Sequence, residues 1–210
     1  MNIFLLCIII STVMLVILKR ITALINGFAL QSFFLFLLAL YSAILHNNTE
    51  LYVIAALVLV IKAVLIPYFL HWVTGKINMD ENLGLLASPM ISLIVSVLLS
   101  YAAYTFAARL IDVGEYAAIA SFAISLSLIL NGLFIMVFRM KALAQVIGLL
   151  VVENGLFLSA VSLCGDMPFF VEIAVFFDVL VFVIILGVFV FKISELFTHI
   201  DTDKLTKLRG

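Results

Sequence analysis

Apolar runs about twenty residues long recur down the whole chain, separated only by short polar stretches. A hydrocarbon slab about 30 Å thick needs roughly 17–25 residues of helix at 1.5 Å per residue. Runs of that length fall at 2–18, 23–45, 51–73, 86–108, 116–138, 142–164 and 169–191. The chain therefore reads as an all-α polytopic membrane protein of about seven transmembrane helices. Of its 210 residues 67% are hydrophobic and 11% charged, where a soluble domain carries about 25% charged residues. No soluble core of this size could cover that much apolar surface. The first run has no basic stretch before it and no small-residue cleavage site at its end, so it predicts a retained helix and not a signal peptide.

The basic residues orient the spans. With the N-terminus outside, Lys19, Arg20, Lys76, Arg139, Lys141, Lys192, Lys204, Lys207 and Arg209 all fall on the cytoplasmic side. Only Arg109 falls outside, and Lys62 lies within a span. Seven helices, N-out and C-in, follow. Three regions result: a four-helix membrane region over 1–110, a three-helix region over 111–194, and a tail over 195–210. In and just before that tail Ile193, Leu196, Phe197 and Ile200 recur at helical spacing among Glu195, His199, Asp201 and Asp203. This suits an amphipathic helix at the cytoplasmic interface, or a solvated helix extension.

Connections are too short for an extramembrane domain. The longest internal one, around 74–85, includes Gly75, Asn78, Asp80 and Glu81. There is no GxGxxG, no P-loop and no nucleophile motif, so any activity must use the membrane region or a partner. Cys7 and Cys164 stand alone in apolar surroundings, and His46, His71 and His199 are scattered; neither type forms a ligand pattern. The chain is expected to bind no metal or cofactor itself.

Three ionisable side chains are expected near mid-bilayer: Lys62, Glu153 and Asp178. A mid-span Lys or Asp opposes insertion by roughly 2.5–3.5 kcal/mol, while each Leu, Ile, Phe or Val returns only about 0.3–0.6 kcal/mol. Such groups face other helices or water-filled cavities, and they mark ion pathways or buried ion pairs. A low-dielectric site disfavours the charged state, which makes proton exchange accessible. The alternative is an ion pair, Lys62 with one of the acids, that only fixes packing. Pro67 lacks an amide, so a kink freeing the Ala63 carbonyl beside Lys62 is expected. His71 lies nine residues from Lys62, on the opposite side of the helix. With Trp72 it reads as an interfacial anchor, or secondarily as a proton inlet. Glu172, shortly after Pro168, complements a helix N-terminus and is a secondary candidate.

Small and hydroxyl residues predict close helix contacts. Ser88, Ser92, Ser96 and Ser100 recur every four residues; Ser121, Ser125 and Gly132 share one face, and Gly148, Gly155 and Ser159 another. Glu153 points away from the last of these, toward a different neighbour, in this chain or in another subunit. Gln31 and Asn131 read as interhelical hydrogen-bonding groups.

The turn Arg139-Met140-Lys141, the stretch Val146-Ile147-Gly148-Leu149-Leu150, and one acid on each of the last two helices resemble subunit K of bacterial respiratory complex I. They are similar also to the C subunit of multisubunit sodium/proton antiporters. That family has three helices, a basic turn into the second, and mid-membrane carboxylates on the second and third. Its glutamate directly follows the IGL; here Leu150 stands there, and the acid comes three residues later in Glu153-Asn154-Gly155. Asp178 stands in for the third-helix glutamate. In length, helix count and the Val152-Glu153-Asn154-Gly155 stretch the whole chain resembles component E of hydrogenase 4 and related formate hydrogenlyase-type complexes.

The resemblance implies a non-catalytic membrane-arm subunit in a bacterial or archaeal cytoplasmic membrane, beside antiporter-like subunits. Partner subunits would carry the nickel–iron and iron–sulfur centres. Glu153, Asp178 and Lys62 would move protons or sodium ions, with Asn154, Glu172 and His71 as secondary groups. The Lys62–Pro67 stretch is similar to the lysine–proline helix of antiporter-like subunits. A stand-alone secondary transporter and a structural membrane scaffold are the competing readings. Transporters tend to show internal repeats, and none is evident between the two halves.

Overall fold

The computed structural model describes residues 2–46, 49–76, 88–110 and 116–163, and every element in them is helical. Helix α1 runs Asn2–Ile17 and α2 runs Ile21–His46. Helix α3 covers 49–76: α-helical over Thr49–Leu57, π-helical over Val58–Leu65, and α-helical again over Ile66–Lys76. Helix α4 runs Pro89–Leu110, α5 Tyr116–Phe138 and α6 Ala142–Leu163. Five of these, α2 to α6, are long and apolar enough to cross a membrane; α1, at 16 residues, is shorter. Large apolar side chains such as Ile3, Tyr68, Met90 and Val137 point outward, as lipid contact requires and water does not permit in such number. The chain is thus an all-helical, multi-pass membrane protein. The seventh predicted span, with Glu172 and Asp178, and the 195–210 tail lie outside the described residues.

The ends of the six predicted spans fall within three residues of the observed ones. The largest shifts are at the end of α3, which reaches Lys76, and at α4, which starts at Pro89. There Ser88 accepts from the Ile91 amide through its hydroxyl (3.4 Å) and from the Ser92 amide through its carbonyl (2.9 Å). Ser88 is therefore an N-cap with proline in the first helical position, and it is exposed. It does not belong to the packing stripe. Ser92 and Ser96 do, continued by Ala103 and Ala107 on the one narrow face that α4 buries.

Helix α6 is the most buried of the five candidate spans. Its buried residues cover more than half of its circumference, while Ala142, Gln145 and Leu156 on the remaining side are exposed. Its closest approach is to α5. A Cβ added to Gly132 would stand 2.7 Å from the Gly148 carbonyl, and one added to Gly155 would stand 2.7 Å from the Ser125 carbonyl. The predicted glycine–serine faces of α5 and α6 do meet, and Ser121 and Ser125 are buried there. Small residues allow this because apolar lipid supplies no hydrophobic drive to pair helices, leaving close packing to do it.

The apolar interior is divided in two. One cluster takes Leu15, Phe28, Ile66, Leu70 and Val151; the other takes Ile8, Leu35, Val58, Leu128 and Phe157. Between them, on four of the helices, falls a buried polar residue: Thr12 on α1, Gln31 and Ser32 on α2, Lys62 on α3, Asn154 on α6. Gln31, Lys62 and Asn154 sit near the middles of their helices. The layer therefore lies at mid-bundle depth.

Candidate functional site

The site begins with the π turn. Ile66 donates its amide to the Ile61 carbonyl, five residues back, immediately before Pro67, which has no amide to give. The sequence predicted a disturbance of the helix here, and the turns before the proline are π-helical, a widening that recurs at functional sites. It also keeps a four-residue repeat facing inward. Val58, Lys62, Ile66 and Leu70 are all buried, whereas a straight α-helix would rotate each step by about 40°. The π turn aims Lys62 into the bundle.

Lys62 is 0% exposed. Its Nζ donates to Asn154 Oδ1 at 3.2 Å and lies 5.7 Å from the centroid of the Phe157 ring. Phe157 follows Asn154 by three residues, so one face of α6 supplies both an amide oxygen and an aromatic face to the ammonium. Asn154 in turn donates from Nδ2 to Gln31 Oε1 and to Ser32 Oγ, each at 3.2 Å. Gln31 donates from Nε2 to Thr12 Oγ1 (2.7 Å), and Thr12 gives its proton to the Ile8 carbonyl (2.7 Å). Four helices are thereby joined through one line of buried hydrogen bonds. In a medium without water each of these groups would otherwise stand unsatisfied at a cost of several kcal/mol.

Glu153 is 2% exposed, the neighbour of Asn154 on α6. Of the two neighbours open to it, this burial favours one within the chain itself. Lys62, Glu153 and Asn154 are thus brought to one level of the bundle. His71 is not. Its Nε2 hydrogen-bonds Asn26 Oδ1 (2.8 Å) on an exposed face, while Trp72 stacks on Phe69 with the Lys76 ammonium 5.9 Å above its ring. This aromatic and cationic end suits an interfacial anchor. Asp178 and Glu172 lie outside the described residues. Among the described residues no group of three His, Cys, Asp or Glu side chains comes together that could hold a metal.

Sequence reasoning missed Thr12 and Ser32, and it read Arg139 only as a charge. Arg139 is 3% exposed, and its Nη2 donates to the Val16 carbonyl at 2.7 Å. It caps the C-terminus of α1, where a cation complements the helix dipole. Burial pushes its pKa down to about 10, which leaves it charged at neutral pH. Gln145 holds the same turn by donating to the Arg139 carbonyl (3.1 Å). Asn131 is an interhelical group as predicted. Its Nδ2 reaches the Ser127 carbonyl at 2.8 Å and Ser100 Oγ at 3.4 Å, beside a 2.7 Å contact between the Ser100 and Ser127 hydroxyls.

Fold and site together define a multi-pass helical membrane protein with a polar, partly ionisable layer across its interior. The chain is similar to an uncharacterized protein of Mycobacterium tuberculosis, Rv0085, with 26% identity over 202 residues, spanning 96% of this chain and 92% of that one. No family model matches it, and no solved structure does.

Proposed function

We propose that the chain is a membrane-arm subunit of a hydrogenase 4-like redox complex related to respiratory complex I. In this reading it spans the cytoplasmic membrane of a bacterium or archaeon seven times, N-out and C-in. It couples redox chemistry in partner subunits to movement of protons or sodium ions through Glu153, Asp178 and Lys62. The observation that carries the reading is the placement of Lys62 against Asn154, next to Glu153, in the enclosed middle of the bundle. A lysine in such a place costs too much to be incidental unless it works or is fully braced. The chain takes no metal in this account; nickel–iron and iron–sulfur centres belong to partner subunits, beside antiporter-like ones.

A second reading has one observation in its favour. Lys62 takes part in a buried amide network that ties helices together, which suits a scaffold that fixes helix packing. Purification of the native assembly in mild detergent tests the class. Recovery of nickel–iron and antiporter-like subunits supports the complex. A lone chain that takes up solute on reconstitution would overturn it in favour of a secondary transporter.

A further inference from the structure

The hydrogen bonds of the polar layer all point one way. Lys62 donates to Asn154, Asn154 to Gln31, Gln31 to Thr12, and Thr12 to the Ile8 backbone carbonyl. This polarity is not arbitrary. An ammonium has donors only, so the Asn154 amide must turn its oxygen to Lys62, and each later amide must follow. Ser32 reinforces the choice by accepting from the same Asn154 nitrogen. A line that ends on a backbone carbonyl, with two primary amides in its middle, has no group that takes up a proton at one end and releases it at the other.

From this we infer that Asn154, braced by Gln31 and Ser32, is a positioning residue for Lys62, and that the line from Asn154 to Thr12 is not a proton path. It holds Lys62 against α6 at Asn154, the residue next to Glu153 in sequence. Under the ion-translocation reading, proton exchange at the site does not run through α1 and α2. The functional half of this inference rests on the ion-translocation reading; the geometric half does not.

The test separates the two. The full chain, with 15N in lysine and 13C in asparagine, is placed in lipid bilayers, and the dipolar coupling between Lys62 Nζ and Asn154 Cγ is measured by solid-state NMR. It is expected in the wild type and in Ser32→Thr, which keeps the hydroxyl. It is expected to fall by more than half when Gln31→Met and Ser32→Ala are combined, and in Gln31→Met alone if the pair fails to fold. An undiminished coupling in the variants lacking these acceptors overturns the brace. In the assembled complex the paired substitution should lower proton movement per redox turnover by more than half, whereas Thr12→Val, at the far end, should lower it only partly. A Thr12→Val complex as dead to protons as Glu153→Gln would make the line a conduit and overturn the inference. A coupling that falls while proton movement holds steady would support the brace and defeat the role of Lys62 in translocation.

Discussion

Lys62 on α3 and Asn154 on α6, 92 residues apart in sequence, meet at 3.2 Å in a bundle interior closed to solvent on both sides of the contact. The pair joins the front of the chain to the helix that bears Glu153. Neither residue can be removed without consequence for the other, but the consequences differ in kind.

Asn154→Leu leaves a buried ammonium without its oxygen, so it should destabilise by about 1.5–3 kcal/mol, the worth of a hydrogen bond to a charged group. Lys62→Met removes the charge together with its desolvation cost and should cost less. The double variant should lose less than the sum of the two single losses. Thermal unfolding of the four proteins in detergent reads this cycle directly; strict additivity would show that the contact carries no energy.

The α5–α6 contact predicts a position-dependent cost for adding one methyl group. Gly132→Ala drives a Cβ to 2.7 Å from the Gly148 carbonyl and 2.8 Å from the Val152 amide nitrogen. Backbone cannot move aside as a side chain can, and overpacking of this kind costs about 1–3 kcal/mol. Gly75→Ala meets nothing within 4 Å and should change stability by less than about 0.5 kcal/mol. Melting curves of the two variants, side by side, check the difference.

How much of this was legible in the sequence depends on what each group needed. Span length and the break residues placed six helices, because a hydrocarbon slab admits one solution to the backbone hydrogen-bond problem. The glycine faces were legible because a missing side chain has few reasons to recur at helical spacing in a span. Gln31, Asn131 and Lys62 were legible because each must find a partner in the bundle. Thr12 and Ser32 were not, since a hydroxyl in a helix can satisfy itself on a carbonyl one turn back and gives no sign of a second contact. Arg139 was read from its charge at a span boundary, a reading that is the same whether the guanidinium faces water or caps a neighbouring helix. The π turn was half legible: Pro67 announced a disturbance, and only the packing of Lys62 decided its form.

Arg139→Ala should uncover the Val16 carbonyl at the end of α1 and leave a void where the side chain packed. A loss of about 1–3 kcal/mol is expected, within the range for an unsatisfied buried polar group. Limited proteolysis should then cut near Lys19 and Arg20 sooner than in the wild type. An unchanged cleavage rate would mean that α1 is held by its apolar face alone.

The central claim is that the buried carboxylate on α6 moves ions for a redox complex. It is tested most directly by Glu153→Gln in the native assembly, in inverted membrane vesicles, with proton movement and redox turnover followed together. The account predicts a complex that assembles and still turns over, with proton movement per turnover reduced at least tenfold, about 1.4 kcal/mol or more in the coupled step. Full proton movement in the assembled variant would contradict it.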